Sequence, residues 1–69
     1  MVMTNITVSI RDLANDPSKG RSIVDRVSKT LKASGHFDLA SDYEKKAVAA
    51  DDFKSLLKVT RQYVNTIEF

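Results

Sequence analysis

Apolar and polar residues alternate close to the N-terminus of the chain. The apolar positions of this segment are Ile6, Val8 and Ile10, and the polar positions are Thr7, Ser9 and Arg11. A period of two residues is typical of a half-buried strand, so the pattern predicts a β-strand over residues 4–11. Residues 12–20 are rich in turn-forming side chains and show no period, which predicts a loop.

Two amphipathic helices are predicted after the loop. Apolar side chains recur at helical spacing over residues 21–34. They are Ile23, Val24, Val27 and Leu31. Gly35 follows where the end of a helix favours a left-handed residue. The second helix is predicted over residues 38–50, because Ser41 begins a Ser-x-x-Glu capping box, with Asp38 as an alternative cap.

The C-terminal segment, residues 52–69, is compatible with two structures. Asp51 and Asp52 are suited to cap a third helix, or they lie on one long helix that continues from the second. An apolar stripe fits the helical period. It consists of Phe53, Leu56, Leu57, Thr60, Tyr63, Val64 and Ile67. Residues 63–69 are also β-branched and aromatic enough for a strand, so helix is favoured and helix plus strand is the alternative.

Length and composition predict a single small domain. The chain has 69 residues, of which 42% are hydrophobic, and it contains no Cys. Without disulfides or thiolate metal sites, stability must come from packing or self-association. Only one core is available, so two buried stripes should meet in it. The predicted core group is Val27, Leu31, Leu56 and Tyr63.

The N-terminus predicts a cytoplasmic protein. It lacks a basic start followed by a long apolar run, which a signal peptide would need. No stretch approaches the roughly 20 apolar residues of a membrane span, so no membrane partner is expected.

The chain offers little catalytic chemistry. His36 is the only His, and it has no Cys or second His to act with. Asp51 and Asp52 are adjacent, so on a helix they point about 100° apart and do not converge on a substrate. We expect no enzyme activity, cofactor, metal or small-molecule substrate. The formal charge is +2, with basic and acidic residues interleaved, and it neither favours nor excludes nucleic acid.

The strand segment and the junction between the first two helices carry a further pattern. Residues 5–12 read Asn-Ile-Thr-Val-Ser-Ile-Arg-Asp, and residues 34–48 read Ser-Gly-His-Phe-Asp-Leu-Ala-Ser-Asp-Tyr-Glu-Lys-Lys-Ala-Val. They resemble the opening strand and the helix-helix junction of ribbon-helix-helix DNA-binding proteins, especially ParD-like antitoxins. Together they cover about a third of the chain in the family's order. Residues 13–22 depart from the family, whose first helix follows the strand almost at once.

The resemblance implies a dimeric transcriptional regulator or antitoxin that binds duplex DNA. Its fold would be mainly α with one N-terminal β-strand, β-α-α with or without a third helix, and the strands of two chains would form a ribbon. Thr7, Ser9 and Arg11 would contact base edges in the major groove. The backbone amides near Ala40 and Ser41 would hold a phosphate. The C-terminal segment would bind a toxin protein.

The N-terminal strand also allows a different architecture. Its backbone groups must pair either with a second chain or with a C-terminal strand of the same chain, which would give a β-α-α-β monomer. A monomer would favour a small inhibitor or adaptor, encoded by a phage or mobile element, that binds a host protein without DNA contact. Its partner-binding residues would be Phe53, Lys54, Leu57, Lys58 and Arg61.

Overall fold

Three helices lie between two short strands. The computed structural model of the chain describes residues 2–68. The elements are β1 (Thr7–Ser9), a 3-10 helix (Arg11–Leu13), α1 (Lys19–Ala33), α2 (Phe37–Ala49), α3 (Phe53–Tyr63) and β2 (Asn65–Ile67). The fold is therefore mainly helical with an N-terminal strand, as predicted, and this strand is shorter than residues 4–11.

The two strands pair with each other. β1 and β2 form a parallel sheet in which Thr7 is opposite Asn65 and Ser9 is opposite Ile67. Just before β1, the carbonyl oxygen of Ile6 accepts a hydrogen bond from the Asn65 amide at 2.8 Å. The N-terminal strand is thus paired within the chain, as the alternative architecture predicted, but three helices rather than two separate the strands.

The helical prediction for residues 63–69 is wrong, and the alternative of a helix followed by a strand is confirmed for the part described. α3 ends at Tyr63, and Val64 is extended with φ −140° and ψ 157°. The Thr4 hydroxyl donates to the Tyr63 carbonyl oxygen at 2.7 Å, so the N-terminal segment satisfies an acceptor that the helix end leaves free. The β-branched residues after Tyr63 then continue into β2.

The loop predicted over residues 12–20 is shorter than expected. The 3-10 helix covers its beginning, and α1 starts at Lys19 rather than at residue 21. The Asp16 carboxylate accepts a hydrogen bond from the Ser18 amide at 2.7 Å and another from the Ser22 hydroxyl at 3.1 Å. This turn around an aspartate fixes the chain just before the helix and explains the earlier start.

The junction between α1 and α2 is a Schellman motif. Gly35 is left-handed with φ 82°, as predicted. The His36 amide donates to the Leu31 carbonyl oxygen at 2.8 Å, and the Gly35 amide donates to that of Lys32 at 3.0 Å. α2 therefore begins at Phe37 rather than at residue 38, and the predicted capping box does not form because Ser41 lies inside the helix.

Asp52 separates the second helix from the third. Its carboxylate accepts a hydrogen bond from the Ser55 amide at 2.7 Å and so caps α3. Of the two alternatives for this region, the cap is confirmed, and α2 ends at Ala49 rather than at residue 50.

The buried apolar side chains form one core between the sheet and the helices. They are Val8, Ile10, Leu13, Ile23, Val27, Leu31, Ala40, Tyr43, Ala47, Leu56, Tyr63 and Val64. All four residues of the predicted core group are among them, so that prediction is confirmed. The predicted alternation along β1 is also confirmed, because Val8 is buried whereas Thr7 and Ser9 are exposed.

Candidate interaction surfaces

The predicted base-reading residues lie on the outer side of the sheet. Thr7 and Ser9 are exposed on β1, and Arg11 is exposed in the 3-10 helix that follows. Paired residues project to the same face of a sheet, so Asn65 and Ile67 of β2 lie beside Thr7 and Ser9. This sheet face combines short polar side chains with an isoleucine that is 45% exposed.

An arginine of α1 covers part of the free edge of β1. The Ile10 amide bonds to Ile67 across the sheet, so the backbone groups of Ser9 face the opposite edge. There, Nη1 of Arg26 donates to the Ser9 carbonyl oxygen at 2.9 Å. The same guanidinium binds the Asp12 carboxylate at 2.6 and 2.9 Å, which lowers the pKa of Asp12 and raises that of Arg26. A strand from a second chain would have to displace this contact.

The predicted phosphate site at Ala40 and Ser41 is wrong. Both residues lie inside α2, one turn beyond its beginning. Ala40 is fully buried, and its amide donates to the His36 carbonyl oxygen at 2.9 Å. An amide that is already bonded within a helix has no hydrogen to offer a phosphate.

The actual beginning of α2 is poorly suited to hold an anion. The side chain of His36, at the N-cap position, makes no capping hydrogen bond, and Asp38 lies in the first turn. A carboxylate at this position interacts favourably with the positive end of the helix dipole and repels a second anion. Phe37, next to it, is 64% exposed. The helix terminus therefore supplies no replacement for the predicted phosphate site.

The five predicted partner-binding residues lie on one side of α3, which we call the α3 face. They are Phe53, Lys54, Leu57, Lys58 and Arg61. The three basic residues are exposed, whereas the two apolar residues are half-buried against the core. The opposite side of the helix is buried through Leu56, Thr60 and Tyr63. α3 contains no Asp or Glu, so every charged residue of the helix itself is basic.

A carboxylate from the chain itself is bound at one end of the α3 face. The guanidinium of Arg61 makes two hydrogen bonds to Glu68, and the one from Nε is 2.7 Å long. The Thr66 hydroxyl also donates to Glu68, at 2.6 Å. Arg61 is the main cause that lowers the pKa of Glu68. The structure thus contains one example of carboxylate binding on this surface.

At the other end of the α3 face, the basic side chains lie near a carboxylate but are not paired with one in the described part of the chain. The Ser55 amide is the main cause that lowers the pKa of Asp52, and the positive charge of Lys58 adds to the effect. Among the described residues, neither Lys54 nor Lys58 forms an ion pair. These two ammonium groups are therefore available to an acidic partner.

A groove that the sequence did not predict lies between α1, α2 and α3. Its apolar lining consists of Val24, Ala47, Val48 and Leu56, together with the backbone of Gly20, and its volume is about 460 Å³. Val48 stands at its rim and is 83% exposed. The small residues Gly20 and Ala47 within amphipathic helices were the available signal, but only the arrangement of three helices shows that they meet.

Two buried tyrosines connect α2 and α3. The hydroxyl groups of Tyr43 and Thr60 are 2.9 Å apart, and burial raises the pKa of Tyr43 to about 12. Tyr63 packs edge to face on Tyr43, with ring centroids 5.4 Å apart, and donates to the Asp42 carboxylate at 2.5 Å. Every buried side-chain nitrogen or oxygen within residues 2–68 has a hydrogen-bond partner. The tyrosines therefore serve packing and helix pairing.

The candidate catalytic residues do not come together with other side chains in a cluster. His36, Asp51 and Asp52 are all exposed. In the described part of the chain, no three His, Cys, Asp or Glu side chains come together as metal ligands would. None of the helices in that part is long and apolar enough to cross a membrane.

Comparison with known proteins found no relatives: no protein-family model, curated protein or solved structure matches the chain. The ribbon-helix-helix resemblance therefore stays a prediction.

Proposed function

We propose that the chain is a non-enzymatic protein-binding module of the cytoplasm that uses the α3 face to bind an acidic surface of another protein. Inhibitors or adaptors of this size are the kind that phages and mobile elements encode. The observation that carries the proposal is that all charged residues of α3 are basic: Lys54, Lys58 and Arg61 are exposed beside half-buried Phe53 and Leu57. Charge directs the encounter, and the apolar border adds area to be buried on binding.

The bound carboxylate of Glu68 supports an acidic partner. Arg61 and Thr66 already hold it by three hydrogen bonds at one end of the α3 face. Lys54 and Lys58 extend the same surface by about two helical turns, and neither forms an ion pair among the described residues. A partner segment with Asp or Glu at helical spacing would place its carboxylates against these two lysines.

The self-contained sheet also supports a protein-binding module. β1 obtains its strand partner from β2, so the fold needs no second chain on that edge. Arg26 occupies the Ser9 carbonyl oxygen on the other edge. Such coverage is a common way to keep the edge of a sheet from pairing with other strands. Because its sheet needs no strand from another chain, the molecule is suited to bind a partner through a surface and not by strand pairing.

The experiment is affinity capture from a nuclease-treated lysate of the source cells. The parent chain should retain one stoichiometric protein, and the double variant Lys54→Glu/Lys58→Glu should lose it. The double variant Lys29→Glu/Lys45→Glu makes the same change in net charge at exposed positions on α1 and α2 and should retain it. Raising the salt concentration should weaken capture, because charges at an exposed face are screened.

Two results would contradict the proposal. Equal capture by the α3 double variant and the parent would exclude the α3 face as the binding surface. Loss of all captured protein after nuclease treatment would show that nucleic acid, rather than a protein contact, held it.

A second candidate function is DNA binding through the sheet face, as the ribbon-helix-helix resemblance implies. The observation in its favour is that Thr7 and Ser9 project outward next to Asn65, a residue type that pairs well with adenine. In this hypothesis two chains would form a dimer through β1 after Arg26 leaves the strand edge. Arg11→Ala should then weaken specific duplex binding by about 1 to 3 kcal/mol. Unchanged binding by that variant in a titration with labelled duplex would remove this candidate.

A further inference from the structure

The groove between α1, α2 and α3 lies directly beside a protruding apolar side chain. Its floor is formed by half-buried Val24 with buried Ala47 and Leu56. Val48, at its rim, is the most exposed of the large apolar residues within residues 2–68, with 83% of its surface in contact with solvent. A single exposed Val is common, but one beside an apolar hollow forms a continuous apolar surface.

Gly20 keeps the hollow open. A Cβ atom at this position would lie 3.4 Å from Cδ2 of Leu56, so a side chain larger than that of Ala would extend into the groove. Gly20 lies in the first turn of α1, where its negative φ does not require glycine. The lack of a side chain at Gly20 therefore matters because it leaves the groove unfilled.

The charged residues that line the groove are of both signs, and one of them, Glu44 of α2, is already bound within the chain by the Ser28 hydroxyl and by Lys32. Arg21 and Asp25 line the groove from α1, one helical turn apart, and both are exposed. When two copies of such a helix pack antiparallel about a two-fold axis midway between these residues, each arginine faces the aspartate of the other copy. The surface is complementary to itself, because Val48 protrudes beside an apolar groove and Arg21 and Asp25 lie together along its edge. An isologous contact requires such self-complementarity.

We propose that the groove binds a second copy of this chain, with Val48 of each copy in the groove of the other and Arg21 of each copy facing Asp25 of the other. This dimer is independent of the α3 face, whose lysines lie outside the groove. It also differs from a ribbon dimer, because β1 and β2 take no part in it.

The first test is sedimentation equilibrium over a wide range of concentration. The parent should show a reversible monomer-dimer equilibrium, and Val48→Asp should weaken association by about tenfold or more, as expected for a central apolar contact. Ala49→Asp places the same charge on the adjacent exposed residue, which does not line the groove, and should dimerise like the parent. Circular dichroism should show unchanged helix content for both variants.

The second test mixes two charge variants. Arg21→Glu alone and Asp25→Lys alone should each dimerise more weakly than the parent, whereas an equimolar mixture should form a heterodimer, since each variant supplies the charge that the other needs. Contacts within one chain cannot produce this rescue. Lys29→Glu, on α1 away from the groove, should dimerise like the parent and should not form a heterodimer with Asp25→Lys more strongly than the parent does.

Three outcomes would overturn the proposal: a parent that stays monomeric at its highest attainable concentration, a dimer that Val48→Asp leaves intact, or a mixture that gains no heterodimer. None of them bears on the α3 face, because capture of an acidic partner by Lys54 and Lys58 is measured separately and needs no dimer.

Discussion

Replacing Thr60 by Val should destabilise the domain more than replacing both Thr60 and its partner Tyr43. Thr60 is fully buried, and its hydroxyl donates to the Leu56 carbonyl oxygen at 2.9 Å. Its single hydrogen is therefore used, so the Tyr43 hydroxyl must be the donor in the 2.9 Å contact between the two side chains. Thr60→Val keeps the volume but leaves the Tyr43 donor buried without an acceptor.

The structure sets the expected size of this effect. An unsatisfied buried hydroxyl costs about 1 to 3 kcal/mol, whereas removal of both partners can be nearly neutral. A chain of 69 residues has a total free energy of unfolding of about 3 to 10 kcal/mol. Thr60→Val should therefore remove a large part of the stability, and Tyr43→Phe/Thr60→Val should stay within about 1 kcal/mol of the parent.

The assay is a double-mutant cycle measured by urea and thermal denaturation, with Tyr43→Phe as the second single variant. In a domain of this size, 1 kcal/mol corresponds to a shift of about 4 to 8 °C in Tm. The two substitutions should be coupled by about 1 kcal/mol. Strict additivity would refute the hydrogen bond between the two side chains, and a Thr60→Val protein as stable as the parent would refute its assigned direction.

Three further predictions concern the core, the helix junction and the response to acid. Leu31→Ala should lower the free energy of unfolding by about 2 to 5 kcal/mol because Leu31 is fully buried, and a thermal melt equal to the parent's would contradict this packing. Gly35→Ala should cost about 1 to 2 kcal/mol in urea denaturation, although a methyl group there meets no atom within 4 Å, because φ is 82°. Below about pH 4 the Tm should fall, because the folded pKa values of Asp42 and Asp52 are lowered, so their stabilisation is present above the unfolded pKa and is lost on protonation. Asp42→Asn should make this fall shallower, and an unchanged slope would count against the Tyr63 contact.

Local patterns predicted most of the helical framework. The alternation around Val8 identified the buried side of β1, and helical spacing placed Val27, Leu31 and Leu56 in one core. Gly35 marked the end of α1 because its left-handed conformation is a local requirement. These signals need only neighbours within a few residues, so they survive without knowledge of the fold.

Features that depend on distant contacts were predicted less well. The segment after Tyr63 has the sequence of either a helix or a strand, and pairing with residues near the N-terminus decides for the strand. Ser41 carries a capping pattern, but α2 starts directly after the Schellman motif at Phe37, four residues before Ser41. The α3 face was predicted because helical spacing places its residues together. The groove was missed because Gly20 and Ala47 meet only in three dimensions.

Pairing of β1 with β2 of the same chain underlies the proposed protein-binding function. The most direct measurement is an isotope-filtered NMR experiment on a mixture of labelled and unlabelled chains. Contacts between strands should join Thr7 to Asn65 and Ser9 to Ile67 in parallel register and should arise only within one chain. Contacts between the β1 strands of two different chains, in antiparallel register, would contradict the pairing of β1 within its own chain. They would favour a DNA-binding ribbon.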